Sequence, residues 1–219
     1  MKLPPVTYTF HRNYENCPRK AFHVNIAKDL PKEDSEQLRW GNQVHKAMEQ
    51  RINNGTPLPE SMAKYEPLVH FGNYNVKAEV KLGIRENGLP CGMWGSDVWG
   101  RGVIDVLVAE KPMLNTAFIL DWKTGKRREE PKELEFHAVL LRATRPKLEK
   151  ITGAYAWLQE MKLGQSHDLS DTDATLERER ATRREIEHAF KLGSDAFPPR
   201  QNPLCGYCPV KSCEFNRSQ

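Results

Sequence analysis

The chain has 219 residues, 38% of them hydrophobic, enough to bury one sizeable core and too few to suggest two large independent ones. Its 33 basic and 29 acidic residues leave a net charge of +4, a mixed surface that admits a polyanionic partner without demanding one. There is no run of 18 or more apolar residues and no secretory-type start, so the expectation is a soluble, cytoplasmic protein without a membrane span.

Residues 36 to 53 follow a capping-type Ser35, carry Leu38, Val44, Met48 and Ile52 at near-helical spacing, and stop at Asn54-Gly55, which predicts an amphipathic helix. Pro57 and Pro59 break the chain, and a shorter helical segment is expected from Met62 to Phe71. In NVKAEVKLGI, Val76, Ala78, Val80 and Leu82 alternate with Lys77, Glu79, Lys81 and Gly83, the period of a strand with Glu79 on its polar face. The Gly- and Trp-rich stretch LPCGMWGSDVWGRG reads as a loop. GVIDVLVA and AFILDWKT are short, apolar and β-branched, two adjacent strands of a buried sheet. ELEFHAVLLRAT reads as a helix, KITGAYAWLQE as a strand and QSHDLSDT as a polar loop. Asp171 or Thr172 then caps a long charged helix to about Leu192, expected to pack on the sheet through Leu176, Ile186, Ala189 and Phe190. The tail is too rich in Pro and Cys for regular structure. This order predicts an α/β or α+β core with mixed strands.

Asp121 and Lys123 are two apart on a strand, so their side chains leave the same face while Trp122 leaves the other and is read as core. Asp105 interrupts an apolar strand, where a lone carboxylate is costly unless it is paired or holds a metal. Pairing the two strands brings Asp105 and Asp121 within range of one hard divalent cation, Mg²⁺ or Mn²⁺. Such an ion lowers the pKa of a bound water and stabilises charge on a phosphodiester, with Lys123 placed to position the water or the scissile phosphate. An Asp-x-Lys pair alone is a weak signal that a surface ion pair also explains, and a hydrogen-bonded histidine accounts for His45 almost as well; the ordered set with Asp105 and His45 favours chemistry.

Gly41 to His45, Glu79, Gly102-Val103-Ile104-Asp105 and Asp121-Trp122-Lys123-Thr124-Gly125 resemble, in order, the motifs of the PD-(D/E)xK nuclease superfamily and its RecB-like exonuclease branch. The resemblance spans roughly residues 40 to 145. It implies a restriction-endonuclease-like core, a central mixed sheet flanked by helices. It also implies His45, Asp105, Asp121 and the Trp122 carbonyl as ligands of Mg²⁺ or Mn²⁺, Lys123 as the catalytic lysine and Glu79 as a supporting acid. Where the family places Gln-x-x-x-Tyr, this chain has Glu133 and His137, a departure that keeps both on one helical face and weakens the case for a phosphate contact. Lys126, Arg127 and Arg128 follow the strand directly and are candidates to meet the DNA backbone. Trp94 and Trp99 are candidates to stack on unpaired bases.

Cys205-x2-Cys208-x4-Cys213 supplies three thiolates at a spacing used by zinc and iron–sulfur sites alike. RecB-like nucleases with a 4Fe-4S cluster take one cysteine from before the motifs and three from after them. Cys17 matches the first, and Cys91 is left over. The last loop is one residue shorter than that pattern, which leaves Zn²⁺ as the alternative to the cluster. The organisation expected is one nuclease domain over 1–219: an N-terminal segment 1–35 with Cys17, a catalytic core 36–165, a long charged helix 166–194 and a Cys-rich tail 195–219 docked to the N-terminal segment. The implied substrate is DNA, single-stranded or at ends, with recombination or replication partners and an oligomer as further expectations. The compact size is similar to stand-alone phage and CRISPR-associated nucleases, which implies a bacterial or phage-infected host cell. The competing reading is a non-catalytic nucleic-acid-binding or assembly subunit with a structural Cys-bound metal; both acids and the lysine, which an inactivated domain is expected to lose, argue against it.

Overall fold

The computed structural model describes residues 2–31, 35–109, 115–127 and 130–217. They form two compact units, Met1–Glu33 with Leu176–Gln219 and Asp34–Thr175.

The second unit is built on a seven-stranded mixed sheet: β1 (Asn75–Ile84), β2 (Pro90–Cys91), β3 (Gly100–Ala109), β4 (Thr116–Lys123), β5 (Lys150–Trp157), β6 (Lys162–Leu163) and β7 (His167–Asp168). The strand order is β2-β1-β3-β4-β5-β6, with β7 also pairing β5. β1 and β4 each run antiparallel to β3, whereas β4 and β5 are parallel. Parallel neighbours need a crossover, and here it contains helix α4 (Lys132–Thr144). This is the mixed α/β core with flanking helices that the element order predicts.

Helix α3 (Glu36–Asn54) starts where Ser35 Oγ accepts the Leu38 N–H at 3.2 Å and stops at Gly55, whose φ of 71° suits a residue without a Cβ. Its Val44 and Met48 are fully buried against Ala78, Val106, Val108, Leu120 and Trp122 of the sheet. Leu38, expected on the same stripe, is instead 44% exposed. The segment expected to be helical from Met62 is a 3-10 helix, Glu60–Leu68, with Pro67 inside it, and it adds Met62 and Tyr65 to the same core. Inside the stretch read as a polar loop, β7 forms because its backbone meets the edge of β5. Leu169 then donates its N–H to the Ile151 carbonyl at 2.8 Å. A two-residue strand is too short to show any alternation.

The first unit begins with two helices the sequence pattern did not announce, α1 (Tyr8–Asn16) and α2 (Pro18–Ala21), followed by a π-helical turn, Phe22–Ala27. Helix α5 (Thr172–Leu192) starts beside Asp171, whose carboxylate accepts the Ala174 N–H at 3.2 Å. Its stripe, expected to meet the sheet, finds its partners within the first unit. Ile186 and Ala189 bury against Phe10, Ala21, Ile26 and Phe197, because the N-terminal helices offer the matching apolar face. His11 Nδ1–H donates to the buried Glu179 carboxylate at 2.6 Å and fastens α1 to α5. Short 3-10 turns, Ser194–Ala196 and Pro203–Tyr207, are the only helical pieces described in the tail. No helix among the described residues is long and apolar enough to cross a membrane.

Candidate active site

The β3–β4 ladder runs from Ala109↔Ala117 to Val106↔Leu120 and stops there. At the next step the Trp122 N–H donates to Asp105 Oδ2 at 2.9 Å, so a side chain takes over where a backbone partner would stand. The two strands carrying the predicted acids are thereby joined through one of those acids. Opposite Asp105 in register on β1 stands Glu79, with a φ of 55°. A left-handed conformation is costly for a residue with a Cβ, and it also breaks the β1 alternation: beyond Lys81, Leu82, Gly83 and Ile84 are all buried.

His45 comes in from α3. Its Nε2–H donates to the Trp122 carbonyl oxygen at 3.1 Å, and its Nδ1 lies 3.5 Å from Asp105 Oδ2 and 4.0 Å from Glu79 Oε1. Ligand atoms of His45, Glu79 and Asp105 all fall within 4.8 Å of one another. One turn before His45, a Cβ on Gly41 would sit 3.3 Å from Thr124 Oγ1, so the glycine lets the helix backbone approach the end of β4. His45, Glu79, Lys123 and Thr124 line an open cleft of about 600 Å³.

Asp121 is 3% exposed and faces Lys123, whose Nζ is 2.8 Å from its Oδ1 and donates to its Oδ2 at 3.0 Å. The same ammonium donates to Glu133 Oε2 on α4 at 2.7 Å and lies 5.3 Å from the ring centre of Tyr155 on β5. Asp121 is therefore in the group around Lys123 and outside the close trio of His45, Glu79 and Asp105. Trp122 is buried, as its side of the strand predicts. His137, one turn after Glu133, is buried beneath β3: a Cβ on Gly102 would lie 3.2 Å from its ring and 2.9 Å from Leu140. Three buried atoms here, Asp121 Oδ1, Trp122 Nε1 and His137 Nδ1, have no well-directed hydrogen-bond partner among the described residues, despite the ammonium close to the first.

The charges divide unequally. Burial and then the Asp105 charge hold the Asp121 carboxyl well above the usual range. Burial also pushes Asp105 up, but the hydrogen bond and charge of His45, with help from the Trp122 N–H and Lys123, outweigh it and leave Asp105 below the usual range. Burial opposes a charge on His45, yet the Asp105 hydrogen bond and charge raise its pKa overall. Burial and Asp105 raise Glu79. Lys123 is raised because Asp121 and Glu133 outweigh its burial, so it is a fixed cation and unsuited to act as a base. Burial lowers His137 and keeps it neutral.

A model described as the PD-(D/E)XK nuclease superfamily matches residues 70–213, most of the chain and every one of Glu79, Asp105, Asp121 and Lys123. The chain belongs to the PD-(D/E)XK nuclease superfamily. Membership assigns this nuclease its reaction class, metal-dependent hydrolysis of a nucleic-acid backbone. The crystal structure of SSO0001 is similar over 94% of this chain and 85% of that one, at 16% identity and a TM-score of 0.51, which shows a shared fold. No curated protein matches the chain.

Around the cleft of this PD-(D/E)XK nuclease, Lys126 is exposed, Arg127 pairs with Glu160 at 3.4 Å, and Arg128 lies outside the described residues. Of the two tryptophans read as stacking candidates, Trp99 is buried at 8% exposure and anchors the start of β3, whereas Trp94 is 73% exposed. In the first unit, Cys17, Cys205, Cys208 and Cys213 line one small cavity, with Cys91 far off in sequence on β2. The Arg200 N–H donates to Cys17 Sγ at 3.4 Å and the Asn202 N–H to Cys205 Sγ at 3.3 Å. All five cysteines are free. Sequence patterns did not reveal Tyr155 or the left-handed Glu79; the first lies outside every motif, and a backbone torsion has no signature when the residue is not glycine.

Proposed function

We propose that this chain is a DNA nuclease of the RecB-like branch, acting as an exonuclease on single strands or ends, with His45, Asp105, Asp121 and the Trp122 carbonyl as the ligands of Mg²⁺ or Mn²⁺. The observation that carries this is the meeting of His45, Asp105 and Trp122 where the β3–β4 ladder ends: Asp105 accepts from the Trp122 N–H, and the His45 Nε2–H donates to the Trp122 carbonyl. The His45 Nε2–H on the Trp122 carbonyl holds the ring so that Nδ1, the nitrogen that would meet the ion, faces Asp105 and Glu79. The buried carboxylates of Asp105 and Asp121, close enough for the charge of the first to raise the second, also suit a cation. Glu79, 4.0 Å from His45, is the supporting acid. The ion supplies charge stabilisation for the phosphodiester and acidifies water.

Lys123 holds a permanent charge beside Asp121 and stabilises the negative charge that develops on the phosphate oxygens. Glu133 fixes the ammonium in place, which explains a carboxylate where the family usually has an amide. Neutral His137 backs this helix turn from beneath. Lys126 and Arg127 lie where the strand leaves the cleft and meet the DNA backbone electrostatically.

The four cysteines hold a 4Fe-4S cluster in this reading. Four sulfurs on one cavity and two backbone N–H groups aimed at them support it.

The test is cleavage of end-labelled single- and double-stranded DNA with Mn²⁺, Mg²⁺ or EDTA, alongside Asp121→Ala and Lys123→Ala. The expected result is metal-dependent cleavage by the wild type and a loss of at least 10²-fold in each variant, as for removal of a charge-stabilising group. Intact DNA with bound wild-type protein in every condition points instead to the non-catalytic binder.

A further inference from the structure

Trp94 is the most exposed tryptophan described, at 73%, on a loop that is held firmly. Gly95 donates its N–H to the Gly92 carbonyl at 2.9 Å, and Trp99 beyond it is buried and donates its N–H to the Ile84 carbonyl at 2.8 Å. Arg85 clasps the same loop through Asp97, and its guanidinium donates to the Pro90 carbonyl at 2.7 Å. A Cβ on Gly83 would come within 3.1 Å of the Gly92 oxygen and Met93 Cα, so the loop lies directly on β1. An indole on a mobile tip would lose much of any contact to ordering; this one is already positioned.

The guanidinium of Arg101 sits 4.5 Å from the centre of the Trp94 ring. It covers part of the indole and leaves most of the side chain in water. An aromatic plane backed by a cation matches the chemistry of a nucleotide, a flat base with an anionic phosphate next to it. Arg101 is also four residues before Asp105 on β3, about 13 Å along the strand, which a stacked strand covers in about four nucleotides at ~3.4 Å each. A paired duplex hides its base faces, so the ligand that fits is a single strand.

We propose that Trp94 and Arg101 form a base-stacking platform that holds an unpaired segment of the substrate a few nucleotides from the Asp105 site. This rests on the nuclease reading above. The platform reads base faces without discriminating among bases, since every base offers a π-face, and it supplies preference for single strands over duplex.

The experiment uses the full chain, an unmodified thymidine 20-mer and a 20-mer of the same backbone without bases. Trp94→Ala is expected to raise KM for the thymidine strand about tenfold with kcat within about twofold, the scale of one lost base stack. The wild type and Trp94→Ala are expected to bind the baseless strand equally, and circular dichroism of the exposed-site variant to match the wild type. Titration with the thymidine strand should quench tryptophan fluorescence in the wild type and lose that component in Trp94→Phe. Equal KM values for the wild type and Trp94→Ala overturn the platform while leaving the nuclease intact. If the wild type cleaves no nucleic acid, the nuclease reading fails by itself, and the fluorescence titration decides the platform: no quenching assigned to Trp94 overturns it.

Discussion

Asp121 sits almost completely buried beside Asp105, with its carboxyl held above the usual range by burial first and by that neighbour second. A carboxyl raised in the folded state adds stability below its unfolded pKa and loses it as the pH climbs through the folded value. Above the folded value the ionised group thus costs the metal-free protein stability, as expected of a carboxylate placed to meet a cation. Asp121→Asn is expected to melt higher than the wild type in EDTA at pH 8 and to cleave nothing. Mg²⁺ is expected to raise the melting temperature of the wild type alone. A lower melting temperature for the variant would show that pairing with Lys123 outweighs burial. His45 predicts a stability dependence on pH of the same sense. Its pKa is raised through Asp105, so in the metal-free protein it stabilises at low pH and this contribution is lost as pH rises through the folded value. A protonated imidazole cannot bind a metal, so Mn²⁺ affinity by calorimetry should strengthen from pH 6 to pH 8. An affinity unchanged over that range would remove His45 from the ligand set.

Two glycines show how the elements hold the site. A Cβ on Gly153 of β5 would meet the Ile119 carbonyl oxygen and Leu169 Cδ1, each at 2.8 Å. The first of these is backbone on β4, two residues before Asp121, and the parallel pairing leaves it nowhere to go. Gly153→Ala is expected to lower stability in urea by about 1–3 kcal/mol, the range for overpacking a tight interior. Unchanged unfolding would mean that β4 and β5 can separate freely. Gly102 meets the flexible end of Leu140 and the His137 ring instead, so α4 can adjust there more cheaply. It lies three residues before Asp105 and Gly41 four before His45, each where two elements approach closely, which gives the motif glycines a packing reason.

In the first unit, segments nearly the whole chain apart in sequence converge. Arg19 donates its N–H to the Pro198 carbonyl at 3.3 Å, and Arg183 donates to the Pro4 carbonyl at 2.7 Å. A cluster on Cys17, Cys205, Cys208 and Cys213 would close a loop of nearly the entire chain, restricting the unfolded state as well as holding the folded one. Cys208→Ala is therefore expected to lower iron content and melting temperature together in anaerobically purified protein, with Cys91→Ala retaining its iron. Zinc in place of iron in the wild type would shift the reading to a zinc site, and neither metal in either protein would sink both.

Much of the site was legible because its chemistry contradicts its surroundings. Asp105 and Asp121 stand out as carboxylates in apolar strands, and burial makes such exceptions expensive, so the pattern by itself marked them as candidates for a cation site and marked the strands that carry them. The period of α3 and the β-branched runs of β3 and β4 likewise determined those elements, because local propensity and burial agreed. What the chain alone could not decide was partnership between distant segments. The apolar face of α5 reads the same whether it meets a sheet or α1, and only the tertiary structure places it against Phe10 and Ile26. Glu133 became the clamp on Lys123 through a loop closure that no spacing encodes, and Glu79 turned toward His45 through a backbone torsion that no side chain announces. Trp99 and Trp94 share one composition and one loop, yet contact with Ile84 buries the first and leaves the second in water.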